Sequence, residues 1–233
     1  MNNFDVPVSN HKMIQSGSMR NVVGFSILLL ATLPAMGSDH VPPPVRPASS
    51  YAAVEVHPKE EVAIAAEPYN TKEKESIFRV DYLQHGFMPV LLTITNMGDK
   101  PISLNDARIL FETASGATVQ AAEPEDVLRT MPRKQRQGRN IPLPAPLPPI
   151  HRKGNDNYQT IKDDFDTFEY KAIVVDPHST QAGFLFYDVS GLADPLRGAH
   201  LYVREVRNAD GKELFSFEVP FDKYLQSKSG KMH

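Results

Sequence analysis

FMPVLLTIT, residues Phe87 to Thr95, is the stretch on which the reading of this chain turns. Val90, Leu92 and Ile94 fall on one face, and Leu91, Thr93 and Thr95 on the other. This is period-two alternation in strongly β-forming residues. It stops at Asn96-Met97-Gly98-Asp99, a cluster of turn formers. Ile102 to Leu104 and Ala107 to Thr113 follow as strand candidates. Ser115-Gly116 marks the next turn, and Ala117 to Gln120 begins a returning strand. Glu123-Pro124-Glu125-Asp126 then reads as a short helical start, with proline in the first turn and acids at the positive end of the dipole. Val127, Leu128 and Met131 would pin that turn to the core.

A second block runs from Phe165 to about Tyr224. Its strand candidates are FEYKAIVV (Phe168 to Val175), ending at Asp176-Pro177, and GFLFYDV (Gly183 to Val189). The latter is apolar on both faces, as suits a central strand. AHLYVREV (Ala199 to Val206) and ELFSFEV (Glu213 to Val219) flank Asn208-Ala209-Asp210-Gly211, a hairpin signal. In the last strand Phe215, Phe217 and Val219 are expected on one face. Together these give roughly seven to eight short strands with almost no helical periodicity. The fold class expected is all-β, an antiparallel immunoglobulin-like β-sandwich carrying a long basic, Pro-rich insertion.

Two stretches carry a family resemblance. PVLLTITNMGDKPISL (Pro89 to Leu104), followed by a strand ending in an Ala-Ser-Gly turn, resembles the strand, Asn-x-Gly-Asp/Lys-Pro-Ile, strand module of small exported bacterial immunoglobulin-like domains. VDPHSTQAGFLFYDVSG (Val175 to Gly191) resembles a later strand of the same domains. The group is that of immunoprotective-extracellular-protein-like sandwiches, which includes many secreted proteins and lipoproteins. The resemblance implies a fold and an exported setting, and brings no agreed activity. Two departures stand out: there is no lipid-accepting cysteine, and an insertion splits the domain.

The start of the chain agrees with export. Arg20 precedes the apolar run NVVGFSILLLATL (Asn21 to Leu33), and the small-x-small triplet Ala35-Met36-Gly37 follows it. That is the layout of a secretory signal peptide. The run is about a dozen residues, short of the ~20 needed to span a bilayer as a helix. Residues 1–37 are therefore expected as the signal peptide, with Met13 and Met19 as alternative initiators, and the alternative is an uncleaved anchor. The mature protein would carry no transmembrane span, and its location would be the periplasm or the exterior. The other expected boundaries are a Pro-rich, extended spacer over 38–58, a single β-domain over 59–225 interrupted by a loop over 129–163, and a disordered tail over 226–233.

Composition excludes several classes of function. Cysteine and tryptophan are absent, and the net charge of −3 gives no global field toward nucleic acid. No histidine lies within five residues of another, so metal-ligand pairings such as HExxH are missing. No GxSxG elbow, Gly-rich phosphate loop or cysteine nucleophile occurs, and no cofactor is expected.

The least ordinary segment is Arg129 to Asp156. It carries Arg129, Arg133, Lys134, Arg136, Arg139, Arg152 and Lys153 with no acid between Val127 and Asn155, and encloses IPLPAPLPPI (Ile141 to Ile150). A basic, extended arm of this kind suits an envelope protein or anionic polymer as partner. The plainer reading is a solvated loop, and the acidic stretch KDDFDTFE (Lys162 to Glu169) offers a third, internal docking. Asp163, Asp164 and Asp166 in that stretch are candidate calcium ligands, although their spacing is not that of an EF-hand and a solvated turn before a strand explains them as well. The expected function is thus a non-enzymatic binding or scaffolding module of the cell envelope. The alternatives are a hydrolase with a dispersed site and a calcium-dependent adhesion or assembly module.

Overall fold

The structure is a computed structural model and describes residues 40–131 and 156–230. The expected signal peptide lies outside the described residues. The fold is mostly β, with antiparallel sheets and few helices. In chain order the elements are β1 (Val54–His57), β2 (Val62–Pro68), α1 (Lys72–Glu75), β3 (Phe87–Asn96), β4 (Ile102–Ser103), β5 (Arg108–Glu112), β6 (Thr118–Gln120), α2 (Pro124–Thr130), α3 (Asp156–Phe168), β7 (Val174–Val175), β8 (Ser179–Asp188), β9 (His200–Arg204), β10 (Arg207–Asn208), β11 (Phe217–Pro220) and α4 (Phe221–Ser229).

Strand β3 organises the first sheet, whose order is β1-β2-β3-β8. On one side it pairs with β2, from Val62 opposite Asn96 to Pro68 opposite Val90. On the other it pairs with β8 along its whole length, from Phe87 opposite Asp188 to Asn96 opposite Ser179. Successive side chains point to opposite faces, and here both faces are covered. Met88, Val90, Leu92 and Ile94, with Val62, Ile64 and Tyr187, share a core with Phe111, Leu201, Val203, Phe217 and Val219. Those partners belong to the second sheet, of order β11-β9-β5-β6, and to its immediate surroundings. Phe87 and Leu91, with Ala63, Ala65, Phe184 and Phe186, pack instead against Ile161, Phe165 and Phe168 of α3, Val127 of α2, and Tyr69, Phe78 and Tyr82. Phe78 stands edge-on to Tyr82, Phe168 and Phe184 at 5.4, 4.9 and 5.0 Å between centroids. Such pairs add about 0.5–1.5 kcal/mol each beyond their area burial.

A third, small sheet of order β10-β4-β7 closes one end. Both edges of the first sheet are covered. Strand β1 lies against β11. The outer edge of β8 receives the Tyr170 N–H at Phe184 O (3.0 Å) and the Ala122 N–H at Phe186 O (2.7 Å). Thus GFLFYDV is apolar on both faces as expected, but it ends its sheet, with two short passes of chain capping it.

Several local expectations change. Strands β1 and β2 form a hairpin that begins inside the stretch expected as a spacer, and the chain before it is already docked. Ala48 is fully buried and its N–H donates to Thr95 Oγ1 at 2.8 Å. The small side chains of VAIAAEP, a weak strand signal, are what allow that close packing. FEYKAIVV is not one strand: Phe168 ends α3, and only Val174–Val175 pairs with β4. Ile161, Phe165 and Phe168 at i, i+4 and i+7 bury one helical face, so packing overrides the acidic, turn-like composition. Only Phe217–Pro220 of the last strand candidate is regular, and Phe215 is 79% exposed rather than inward. The stretch expected as a frayed tail is helical through Ser229. The expected hairpin across Asn208 to Gly211 does form, with Val203 opposite Phe217 and a further bridge from Arg207 to Glu213.

Gly183 makes the capped edge possible, because a Cβ there would collide with the Cα and N of Tyr170. Gly183→Ala is expected to cost about 2–3 kcal/mol through overpacking, read as a lower urea midpoint by circular dichroism. An unchanged midpoint would mean that the Tyr170 pass is not held against β8.

Candidate functional site

Three turns converge at one end of the sheets and enclose a cleft of about 430 Å³. The first joins β1 to β2. Its Glu61 adopts φ +57°, a left-handed conformation uncommon outside glycine. The carboxylate of the preceding Glu60 accepts the Phe215 N–H at 2.8 Å and meets His57 Nδ1 at 2.9 Å. The His57 ring in turn stacks on Phe217, 3.9 Å between centroids.

The second turn is the Asn96-Met97-Gly98-Asp99 cluster, and it does more than reverse the chain. The Asn96 side chain is buried, donates to Lys100 O (2.8 Å) and Val175 O (3.1 Å), and accepts from Gly98 N (3.0 Å). It thereby ties the first sheet to the third. The Met97 N–H donates to Glu61 O at 2.7 Å, locking the first turn to the second. In the third turn, Asn208 Oδ1 accepts from Asp210 N and Lys212 N at 3.0 and 2.9 Å. Lys100 reaches across to Asp210 at 3.4 Å.

The cleft so formed is polar and of mixed charge. Lys59, Lys100 and Lys212 line it together with Glu60, Glu61, Asp99 and Glu213. His178 closes one rim on Asp99 at 2.8 Å. Beside it stand two exposed apolar side chains, Phe215 and Met97. A floor of hydrogen-bonded turns beside exposed apolar side chains can bind, and its mixed charge suits a partner that carries both amines and carboxylates.

The residues singled out from sequence are dispersed. Arg129 is the last-turn cation of α2, exposed and paired with Asp126 at 2.9 Å. Arg133, Lys134, Arg136, Arg139, Arg152 and Lys153 lie outside the described residues. Asp163, Asp164 and Asp166 sit on α3, not in a turn, and their side chains have separate partners. Asp163 accepts from Gln159 at 2.7 Å, and Asp166 faces Lys171. Among the described residues no group of three or more His, Cys, Asp or Glu is placed to hold a metal ion. Among the same residues no helix is long and apolar enough to cross a membrane.

Asp164 has a structural task. It is fully buried and accepts from Arg79 N (2.9 Å), Arg79 Nη1 (3.0 Å), Val80 N (3.1 Å) and Tyr82 Oη (3.3 Å). Burial pushes its carboxyl upward, while the Arg79 and Val80 donors pull the other way. A second buried acid, Glu75, shortly precedes in the chain the Arg79–Tyr82 segment that Asp164 holds. Glu75 accepts the Leu83 N–H at 2.6 Å, and burial, with a further push from Asp81, raises it to about 7.

No protein-family model, curated protein or solved structure matches this chain. The cleft therefore has to be read from its own residues. Sequence reasoning saw the Asn96 turn but missed Glu60, Glu61 and Phe215. The signal for the first pair was available in Pro58-Lys59-Glu60-Glu61, a polar break between two alternating runs. No local signal turns Phe215 outward.

Two outcomes are expected. Asp164→Ala strands the Arg79 guanidinium and two backbone N–H groups, and should cost about 3–5 kcal/mol in urea unfolding. Asp164→Asn, which keeps an acceptor, should cost less, and equal midpoints for Ala and wild type would remove Asp164 as an anchor. For Glu75 the folded acid binds its proton more tightly than the unfolded one. Its contribution is thus greatest below the unfolded value near 4.5 and is lost as pH rises through about 7. Asp164 and Glu169 are raised by burial in the same direction. Glu75→Gln should therefore gain about 1–2 kcal/mol over wild type at pH 8 and only about a quarter of that at pH 5. Parallel thermal melts across that range check it, and curves that keep a constant separation would refute it.

Proposed function

We propose that this protein is an exported, non-enzymatic binding or scaffolding module of the cell envelope, built as an immunoglobulin-like β-sandwich related to the immunoprotective-extracellular-protein-like group. The fold part rests on the core shared between the two larger antiparallel sheets. Export rests on Arg20, the apolar run from Asn21 to Leu33 and the triplet Ala35 to Gly37.

The observation that carries the binding reading is the turn-lined cleft with Phe215 at its rim. A side chain of that size left 79% exposed, on a backbone held by Glu60, is an anchor awaiting a partner's pocket. Three lysines interleaved with four carboxylates favour an envelope protein over a uniformly anionic polymer, whose repulsion by the acids would offset its attraction to the lysines. The basic arm from Arg129 to Asp156 is a second contact surface in this proposal, with Arg129 at its base on α2.

The experiment is retrieval of envelope proteins on the purified exported chain, on Phe215→Ser, and on a chain with Arg129 to Asp156 replaced by a Gly-Ser linker. Circular dichroism confirms that each is folded. The expected result is a chain beginning at Ser38 in the envelope fraction, with one partner whose retention falls at least about tenfold in Phe215→Ser, the scale of a hot-spot loss. A full-length chain confined to the cytoplasm would overturn export, and equal retention by Phe215→Ser would overturn the cleft.

A further inference from the structure

At the far end of β2 from the turn-lined cleft lies a smaller groove of about 220 Å³, between the chain before β1, the end of β2 and α4. Arg46, Tyr51, Glu67, Tyr224, Ser227 and Lys228 line it over a floor of alanines. Tyr51 and Tyr224 are buried and form fixed walls. Cations stand over both rings: Arg46 Cζ is 4.5 Å from the Tyr51 centroid, and Lys228 Nζ is 5.7 Å from that of Tyr224. Tyr224 is held from behind by Lys74, 4.8 Å from its centroid, and by the bond from its hydroxyl to Asn70 Oδ1 at 3.0 Å.

The charges in this groove do not cancel. Glu67 is its lining carboxylate, and Glu67 Oε1 is taken by Lys74 at 2.8 Å. Arg46 reaches Glu67 Oε2 only at 3.9 Å, the outer limit of an ion pair. Among the described residues Lys228 has no ion pair, and its ammonium is placed by the ring alone. An arginine and a lysine are thus presented on aromatic platforms around a small polar hollow whose lining carboxylate, Glu67, is shared with Lys74. Contact with a ring face orients a cation without satisfying its hydrogen-bond donors.

We infer that this groove binds a small oxyanion-bearing ligand, with Arg46 and Lys228 gripping the carboxylate or phosphate and the two tyrosine rings flanking a compact polar body. Arg46 supplies the planar fork that matches a carboxylate or phosphate in two parallel bonds, and Lys228 supplies a point charge. The Ser227 hydroxyl, which donates to Tyr224 O at 2.7 Å, keeps its oxygen available as an acceptor for a ligand hydroxyl. The hollow is smaller than the ~300–1,000 Å³ usual for drug-sized ligands, so the occupant has the size of a sugar acid or an amino acid. This site shares no residue with the turn-lined cleft, and its test is independent of the envelope-partner proposal.

The probes are glucuronate, inorganic phosphate and, as the neutral counterpart of the first, glucose. Each is titrated into the purified chain at low salt, with amide shifts of Tyr51, Glu67 and Lys228 followed by two-dimensional NMR. Saturable shifts with glucuronate or phosphate are expected, weakened at least about tenfold by Arg46→Gln and by Lys228→Gln and lost at high salt, as charge-assisted contacts require. Both substituted side chains are exposed, so circular dichroism should be unchanged. Glucuronate alone would identify a sugar-acid site, and phosphate alone a phosphate-ester site. Equal binding of glucose, equal affinity in both variants, or no saturable shift with either anion would overturn the proposal.

Discussion

Everything in this molecule is arranged around the double burial of β3. An antiparallel sheet usually leaves one face to water, but here each side chain from Phe87 to Ile94 is removed from solvent, whichever way it points. The even-numbered positions meet the second sheet, and the odd-numbered ones meet helices and loops. A one-residue slip of β3 would exchange the two sets. That exchange would bring Thr93 and Thr95 toward the all-apolar core and lose the bond from Ala48 N to Thr95 Oγ1. Thr95, whose hydroxyl is bonded to Ala48 N and Thr180, thus favours this face as the outer one, whereas among the described residues Thr93 Oγ1 is buried there without a hydrogen-bond partner.

The outer layer cannot be held by apolar contact alone, because it consists of loops and helices whose backbone groups must also be satisfied. Asp164 solves that for the segment from Arg79 to Tyr82. One carboxylate answers two N–H groups, a guanidinium and a phenol, and so locks α3 onto the turn that precedes β3. Its full desolvation is tolerable because four donors converge on it. Glu75 is the less compensated neighbour in the same layer, with a strong bond from Leu83 N set against burial and the charge of Asp81. The layer that covers β3 therefore holds, among the described residues, the two buried carboxyls, Glu75 and Asp164, both raised by burial.

What was legible in the sequence follows the range of the forces involved. Strands β3, β8 and β9 announce themselves because alternation is local and their side chains are large. Helix α2 does so because Glu123 to Asp126 caps it within one turn, with Glu123 and Asp126 bonding each other's backbone N–H. Strand β2 was hidden by its small residues, chosen for close approach rather than for β-propensity. Helix α3 was hidden because Ile161, Phe165 and Phe168 are scattered among acids that read as a solvated turn. The cleft was the least legible of all. Its decisive contact, from Phe215 N to Glu60, joins residues 155 positions apart, and no window along the chain contains both.

The two surfaces nominated for binding differ in a way that follows from their construction. The cleft is made of turns tied to one another by backbone hydrogen bonds, so its shape is fixed while Phe215 remains unpacked at the rim; this is the geometry of an anchor that gains area on contact. The groove beside α4 has buried tyrosine walls, and its cations are oriented by those rings; it gains charge neutralisation instead. An occupant of the cleft must be large enough to present a pocket to a phenylalanine, whereas an occupant of the groove must be small enough for a hollow of about 220 Å³. Placed at opposite ends of β2, the two can be filled at once without competing for a residue. Because β2 is buried over most of its length and paired on both edges, it is a stiff connection between them. Any coupling would have to pass through a shift of that strand against β3, which the register of seven paired residues opposes.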